Sequence, residues 1–129
     1  MGQTTYILLK QFKTLIALLF VAAIGLSTPS VAAEADAQTA AWEMINNGAL
    51  VIDVRTPEEF SQGHLDNAVN IPYESISAEF TKQKIAKDQP VVVYCRSGRR
   101  SGIAQTSLIE LGYSKIHNGG GYEQLAEHK

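Results

Sequence analysis

The chain has 129 residues, with 11 basic and 13 acidic side chains and a net charge of −2, which is the size of one ordinary domain. The acidic balance offers little attraction to a polyanion and argues against nucleic-acid binding. A single cysteine excludes any internal disulfide staple.

At the N terminus Lys10 and Lys13 precede an apolar stretch at 15–26, then a polar, proline-containing segment at 27–30 and the small residues Val31-Ala32-Ala33. This is the layout of a secretory signal peptide cleaved after Ala33. The apolar stretch is 12 residues long, short of the roughly 20 that span a bilayer. Met1-Gly2 opens like a myristoylation signal, but Tyr6 stands where Ser or Thr is required. The expectation is export to the periplasm with no stable membrane association after cleavage, and one domain at 34–129. Those 96 residues suffice for one modest core. Loss of Lys10 and Lys13 brings the net charge to about −4, with nine basic side chains left.

Residues 40–47 read as a short helix capped by Thr39 and stopped by Gly48, with Trp42 and Ile45 on its core face. Residues 49–54 read as a strand. Thr56-Pro57-Glu58-Glu59 is a strong helix start: a capping hydroxyl, proline in the first turn, and Glu59 completing a capping box. That helix ends near Gly63. A short strand at 68–71 is broken by Pro72, and residues 77–85 read as a helix with Ile76, Phe80 and Ile85 turned inward. The β-branched run Val91-Val92-Val93-Tyr94 reads as a buried strand, residues 103–111 as a helix stopped by Gly112, and residues 115–117 as a last strand. Gly119-Gly120-Gly121 is expected to turn the chain into a closing helix at 122–128. The alternation predicts an α/β fold, a mainly parallel central sheet with helices on both faces. Ligands of such sheets sit beyond the carboxyl ends of the strands, where Cys95 and Asp53-Val54-Arg55 fall.

Three of the four arginines crowd the run Cys95-Arg96-Ser97-Gly98-Arg99-Arg100-Ser101. A thiol is a nucleophile only as thiolate. Guanidinium charge and the positive end of the following helix both favour the anion. Gly98 lets the backbone turn sharply and its amides converge into an anion nest. A small basic spot on an acidic body points to a small anionic ligand. No His/Cys set has metal-ligand spacing, so neither a metal nor another cofactor is expected.

These residues resemble the active-site loop of the rhodanese (thiosulfate sulfurtransferase) family. Asp53-Val54-Arg55, Gly63-His64-Leu65 followed by Ala68-Val69-Asn70-Ile71-Pro72, and Gly119-Gly120-Gly121-Tyr122 resemble further stretches of the family in the same order, although the family often has tryptophan near Tyr122. The resemblance covers nearly all of residues 34–129 and implies the rhodanese-like fold. It also implies a two-step transfer: Cys95 takes the outer sulfur of a donor such as thiosulfate, then yields it to cyanide or a thiol. Arg96, Ser97, Gly98, Arg99, Arg100 and Ser101 form the implied binding loop. One of Arg99 and Arg100 is expected to face the donor, Arg100 in preference, with the other a solvated charge at the helix start, and Arg96, directly after the nucleophile, to point elsewhere. Asp53, Arg55 and His64 are read as structural support, with Arg55 pairing Glu58 or Glu59 and His64 fixing a turn.

Two other functions compete. Cysteine phosphatases and arsenate reductases also hold an oxyanion over a thiolate, but their Cys-x5-Arg loop needs arginine at position 101, where Ser101 stands. A non-catalytic binding module is the third reading, disfavoured because the cysteine is present.

Overall fold

The computed structural model describes residues 36–129. The expected signal peptide and its cleavage point lie outside the described residues.

Nine elements alternate along the described residues: α1 (Ala37–Asn46), β1 (Leu50–Asp53), α2 (Pro57–Ser61), β2 (Val69–Asn70), α3 (Ile76–Lys82), β3 (Val91–Cys95), α4 (Arg99–Glu110), β4 (Ile116–Gly121) and α5 (Tyr122–Glu127). The four strands form one parallel sheet in the order β2-β1-β3-β4. This is the expected α/β architecture. All five residues of β3 are fully buried at the middle of the sheet. Each valine so placed contributes about 1.5–3 kcal/mol of hydrophobic stabilisation. Their side chains alternate as a pleat dictates. Val91, Val93 and Cys95 pack with Ile76 and Phe80 of α3 and with Ala104 and Leu108 of α4. Val92 and Tyr94 pack on the opposite face with Ala41 of α1 and Leu125 of α5. Helices therefore cover both faces.

The capping box at Thr56 is present: the Thr56 hydroxyl accepts from the Glu59 N–H at 3.2 Å, and the Glu59 carboxylate accepts from the Thr56 N–H at 3.0 Å. Strand and helix ends shift by one to three residues at several places, and three of the differences from the sequence expectation have a clear local reason. The first helix starts before Thr39 because the Asp36 carboxylate caps it, accepting from the Thr39 N–H at 2.7 Å. Helix α4 starts at Arg99 rather than at Ile103. Gly98 takes a left-handed conformation, φ 94°, that reverses the chain three residues after the strand, and the Gly102 N–H already closes a helical turn on the Gly98 carbonyl at 3.0 Å. Arg99, Arg100 and Ser101 thus stand in the first turn of a helix and not in a loop.

The glycine run is strand rather than turn. Val93 pairs with Asn118 and Tyr94 with Gly120, so Gly119 is an extra residue and β4 bulges there. The shift sets Gly121 opposite Cys95. A Cβ on Gly121 would lie 2.6 Å from the Arg96 carbonyl oxygen. Close approach to the loop after β3 is what requires glycine at that position.

Candidate active site

The carboxyl end of β3 delivers Cys95 to the centre of the sheet, and the three residues Arg96, Ser97 and Gly98 lead straight into α4. Cys95 exposes no surface. The Gly98 N–H donates to its Sγ at 3.0 Å, and the Ser101 hydroxyl lies 3.4 Å from the same atom. Burial pushes the thiol pKa up. Hydrogen bonds from the Ser101 hydroxyl and from the N–H groups of Ser101, Ser97 and Gly98 outweigh it, and the pKa lies below the ordinary thiol value. The chief forces favouring the thiolate are these hydrogen bonds, whereas the residue pattern gave first place to the guanidinium groups.

Arg100 does not stand free for a donor. Its Nη1 and Nη2 donate to the two carboxylate oxygens of Glu59 at 2.8 and 2.9 Å. The Arg100 fork pulls the Glu59 carboxyl down to about 2. Arg100 still feels the charge of Cys95, a minor addition to the Glu59 bond that raises its own pKa. Arg99 and Ser97 are exposed, and Ser101 is fully buried. Arg96 is exposed and lines a cleft of about 330 Å³ with Arg55, Glu59, Gln62, Gly63, Tyr122 and Glu123. This cleft lies past the carboxyl ends of β1 and β3, where a parallel sheet presents its ligands.

Asp53 and Arg55 form a buried pair rather than the expected one between Arg55 and Glu58 or Glu59. Arg55 Nε lies 3.0 and 3.1 Å from the two Asp53 oxygens, and Nη2 donates to Asp53 Oδ2 at 2.6 Å and to the Gly63 carbonyl at 2.7 Å. Arg55 precedes α2, so helical spacing does not apply to it. Its guanidinium carbon sits 4.6 Å from the Tyr122 ring centroid, tying the end of β1 to the start of α5. His64 stacks on Phe60 with ring centroids 3.8 Å apart, and its Nδ1 is 3.0 Å from the Phe60 carbonyl oxygen. Those contacts hold the turn after α2.

Three contributors to the site are not assigned these partners by the residue pattern, although it reads Glu59 as a capping residue. Asn118 bonds Ser101, Gly98 and Gly120 at the rear of the loop. Glu59 serves Arg100 as well as the cap of α2. The Tyr94 hydroxyl accepts from the Leu65 N–H at 3.0 Å. Only Asn118 left a signal, a polar residue next to a glycine run at a strand end. Among the described residues no group of three His, Cys, Asp or Glu side chains could hold a metal ion, and no helix is long and apolar enough to cross a membrane.

The family model for the rhodanese-like domain matches residues 37–128. Over 75 residues the chain is 40% identical to thiosulfate sulfurtransferase PspE of Escherichia coli, spanning 58% of this chain and 72% of that one. Over 100 residues it is 36% identical to chloroplastic thiosulfate sulfurtransferase 16 of Arabidopsis thaliana, spanning 69% of this chain and 83% of that one. Among solved structures, a rhodanese with anions from E. coli is similar, with a TM-score of 0.57 and 38% identity, over 60% of this chain and 92% of that one.

Proposed function

Because the chain belongs to the rhodanese-like domain family, we propose that it is a sulfurtransferase in which Cys95 carries a sulfane sulfur from a thiosulfate-type donor to cyanide or a thiol. The Cys95 thiolate attacks the outer sulfur of thiosulfate. The sulfur–sulfur bond breaks, and sulfite leaves with the electron pair. A Cys95 persulfide remains, with its negative charge on the outer sulfur. Cyanide or a thiolate then attacks that outer sulfur, departs as thiocyanate or a new persulfide, and restores the Cys95 thiolate.

The observation that carries this reading is the ring of donors around the Cys95 sulfur. A buried thiol whose pKa is nevertheless lowered, by the Ser101 hydroxyl and the N–H groups of Ser97, Gly98 and Ser101, is a thiol prepared for ionisation. Two relatives named as thiosulfate sulfurtransferases support the same reaction. Arg96, expected from the sequence to point elsewhere, is exposed at the cleft and is, with the exposed Arg99, a cation available to a dianionic donor. Arg100 acts at one remove, since its fork is held by Glu59. Asp53, Arg55 and His64 are supports. A phosphatase or arsenate-reductase reading has less behind it: Ser101 occupies the place of the oxyanion-binding arginine, and Arg100 is engaged elsewhere.

The test is the intact mass of the protein after exposure to thiosulfate. A gain of one sulfur atom, removed by cyanide with release of thiocyanate, is expected for the wild type and absent in Cys95→Ala. Phosphate release from an aryl phosphate without thiocyanate formation would overturn the reading. The leader-like N terminus supports export to the periplasm. A mature chain starting at Glu34 is the expected mass, and an intact Met1 start in the periplasmic fraction would contradict it.

A further inference from the structure

We propose that Asn118 is a positioning residue that sets two of the hydrogen-bond donors around the Cys95 sulfur, the Ser101 hydroxyl and the Gly98 amide, against it; this rests on the reading of Cys95 as the sulfur carrier. The Asn118 side chain reaches from β4 to the start of α4 and makes three hydrogen bonds, two of them there and one within β4. Its Oδ1 accepts from the Ser101 hydroxyl at 2.8 Å and from the Gly120 N–H at 2.9 Å, and its Nδ2 donates to the Gly98 carbonyl at 3.0 Å. The two donors and the one acceptor fix the orientation of the amide. A flipped side chain would set N–H against N–H and oxygen against oxygen.

The Nδ2 bond anchors Gly98 through its carbonyl. The N–H of the same residue donates to Cys95 Sγ at 3.0 Å. The Oδ1 bond has a different consequence. Ser101 is fully buried and has one hydroxyl proton but two acceptors in reach, Asn118 Oδ1 at 2.8 Å and Cys95 Sγ at 3.4 Å. When Cys95 is a thiolate, the proton serves the sulfur. Asn118 Oδ1 is not orphaned by that turn, because it retains the Gly120 N–H. When the sulfur carries a sulfane atom, the negative charge moves outward to that atom and the hydroxyl proton returns to Asn118. The buried hydroxyl thus has a partner in both halves of the cycle, which a buried polar group requires. Gly102 accommodates this arrangement: a Cβ there would sit 3.4 Å from Asn118 Nδ2. An apolar residue at 118 would leave the Gly98 carbonyl with the Gly102 N–H alone, take the side-chain acceptor from the Gly120 N–H, and remove the bond that holds the Ser101 hydroxyl in place beside the sulfur.

The measurement is the pH dependence of Cys95 alkylation by iodoacetamide in wild type and Asn118→Ala, with circular dichroism confirming the fold. The apparent thiol pKa is expected to rise by about one unit in the variant, a roughly tenfold fall in thiolate fraction at pH values below it. In a Ser101→Ala background the same substitution should shift the pKa less, because the two residues share a path to the sulfur. A folded Asn118→Ala protein with the wild-type profile overturns the proposal. Should that variant fail to fold, the wild type decides: the side-chain amide resonances of Asn118 must titrate with the midpoint of Cys95, and a flat response overturns it. Alkylation needs no turnover. A wild type that forms no persulfide with thiosulfate therefore defeats the sulfurtransferase reading, and unchanged alkylation defeats only the role of Asn118.

Discussion

Glu59 grips Arg100 with both carboxylate oxygens, at 2.8 and 2.9 Å, while the same carboxylate caps α2 through the Thr56 N–H at 3.0 Å. One acid thereby joins the helix after β1 to the first turn of the helix after Cys95. Its pKa is lowered to about 2 from the ordinary 4.5, chiefly by Arg100. A carboxyl depressed in the folded state contributes stability that is fully present above its unfolded value and is lost as pH falls through its folded value. The stability of the wild type should therefore decline between about pH 4.5 and pH 2, the two values that bound Glu59. Glu59→Gln should flatten that decline and cost about 1–2 kcal/mol at neutral pH, the range for a partly exposed charge-assisted fork. Urea unfolding of both proteins across this range checks it, and parallel acid limbs would refute it.

The buried pair of Asp53 and Arg55 should behave more harshly. Asp53 is wholly buried and Arg55 is 6% exposed, with three contacts between guanidinium and carboxylate at or under 3.1 Å. Removing one partner leaves the other charge uncompensated in the interior. Arg55→Leu should lose about 3–5 kcal/mol. The double change of Asp53→Asn with Arg55→Leu should recover part of that loss, because no buried charge remains. Thermal melts of the three variants decide the point; equal losses for single and double changes would argue against a charge origin.

How much of this was legible in the chain follows from how local each feature is. The β-branched run at Val91 and the Thr56-Pro57-Glu58-Glu59 cap are encoded by neighbours, and both stand as read. The end of the buried strand at Cys95 was legible for the same reason. The start of α4 was not, because Gly98 caps it through backbone conformation alone, with no capping side chain. Pairing Arg55 with Glu58 or Glu59 applied a helical rule to a residue outside the helix, and the true partner sits two positions back. Arg100 meets Glu59 across 41 residues, and Asn118 meets Gly98 across 20. Only the sheet brings such residues together, so no spacing in the sequence announces them.

The reactivity of Cys95 should follow its lowered pKa. Burial opposes ionisation and the hydrogen bonds favour it, so removing one donor shifts the balance toward the thiol. Ser101→Ala deletes the hydroxyl 3.4 Å from the sulfur. The pH midpoint of sulfur transfer from thiosulfate should then move up, by about one to two units for the loss of one hydrogen bond to a charged group. Rates at high pH should approach those of the wild type, since raising pH restores the thiolate. A uniform loss at all pH values, with no shift in midpoint, would show that the hydroxyl binds substrate instead of stabilising the anion.

Gly121→Ala tests whether the two strands of the site must touch. The added methyl would lie 2.6 Å from the Arg96 carbonyl oxygen, a distance that forces backbone to move. Gly121 faces Cys95 across the β3–β4 ladder, and Arg96 opens the loop that supplies the sulfur's amides. Displacement of Arg96 therefore carries Ser97 and Gly98 with it. The expected stability loss is about 1–3 kcal/mol, as for other overpacked positions. The loss of sulfur transfer should be larger, on the order of a hundredfold, because reacting groups displaced by about 1 Å lose that much. Gly112→Ala is the control: its φ is also positive, at 96°, but nothing lies within 4 Å of a Cβ there. That variant should lose stability through backbone strain alone and keep its sulfur-transfer rate. Equal activity losses in the two variants would mean that general destabilisation, and not the approach of β4 to the loop, governs the chemistry.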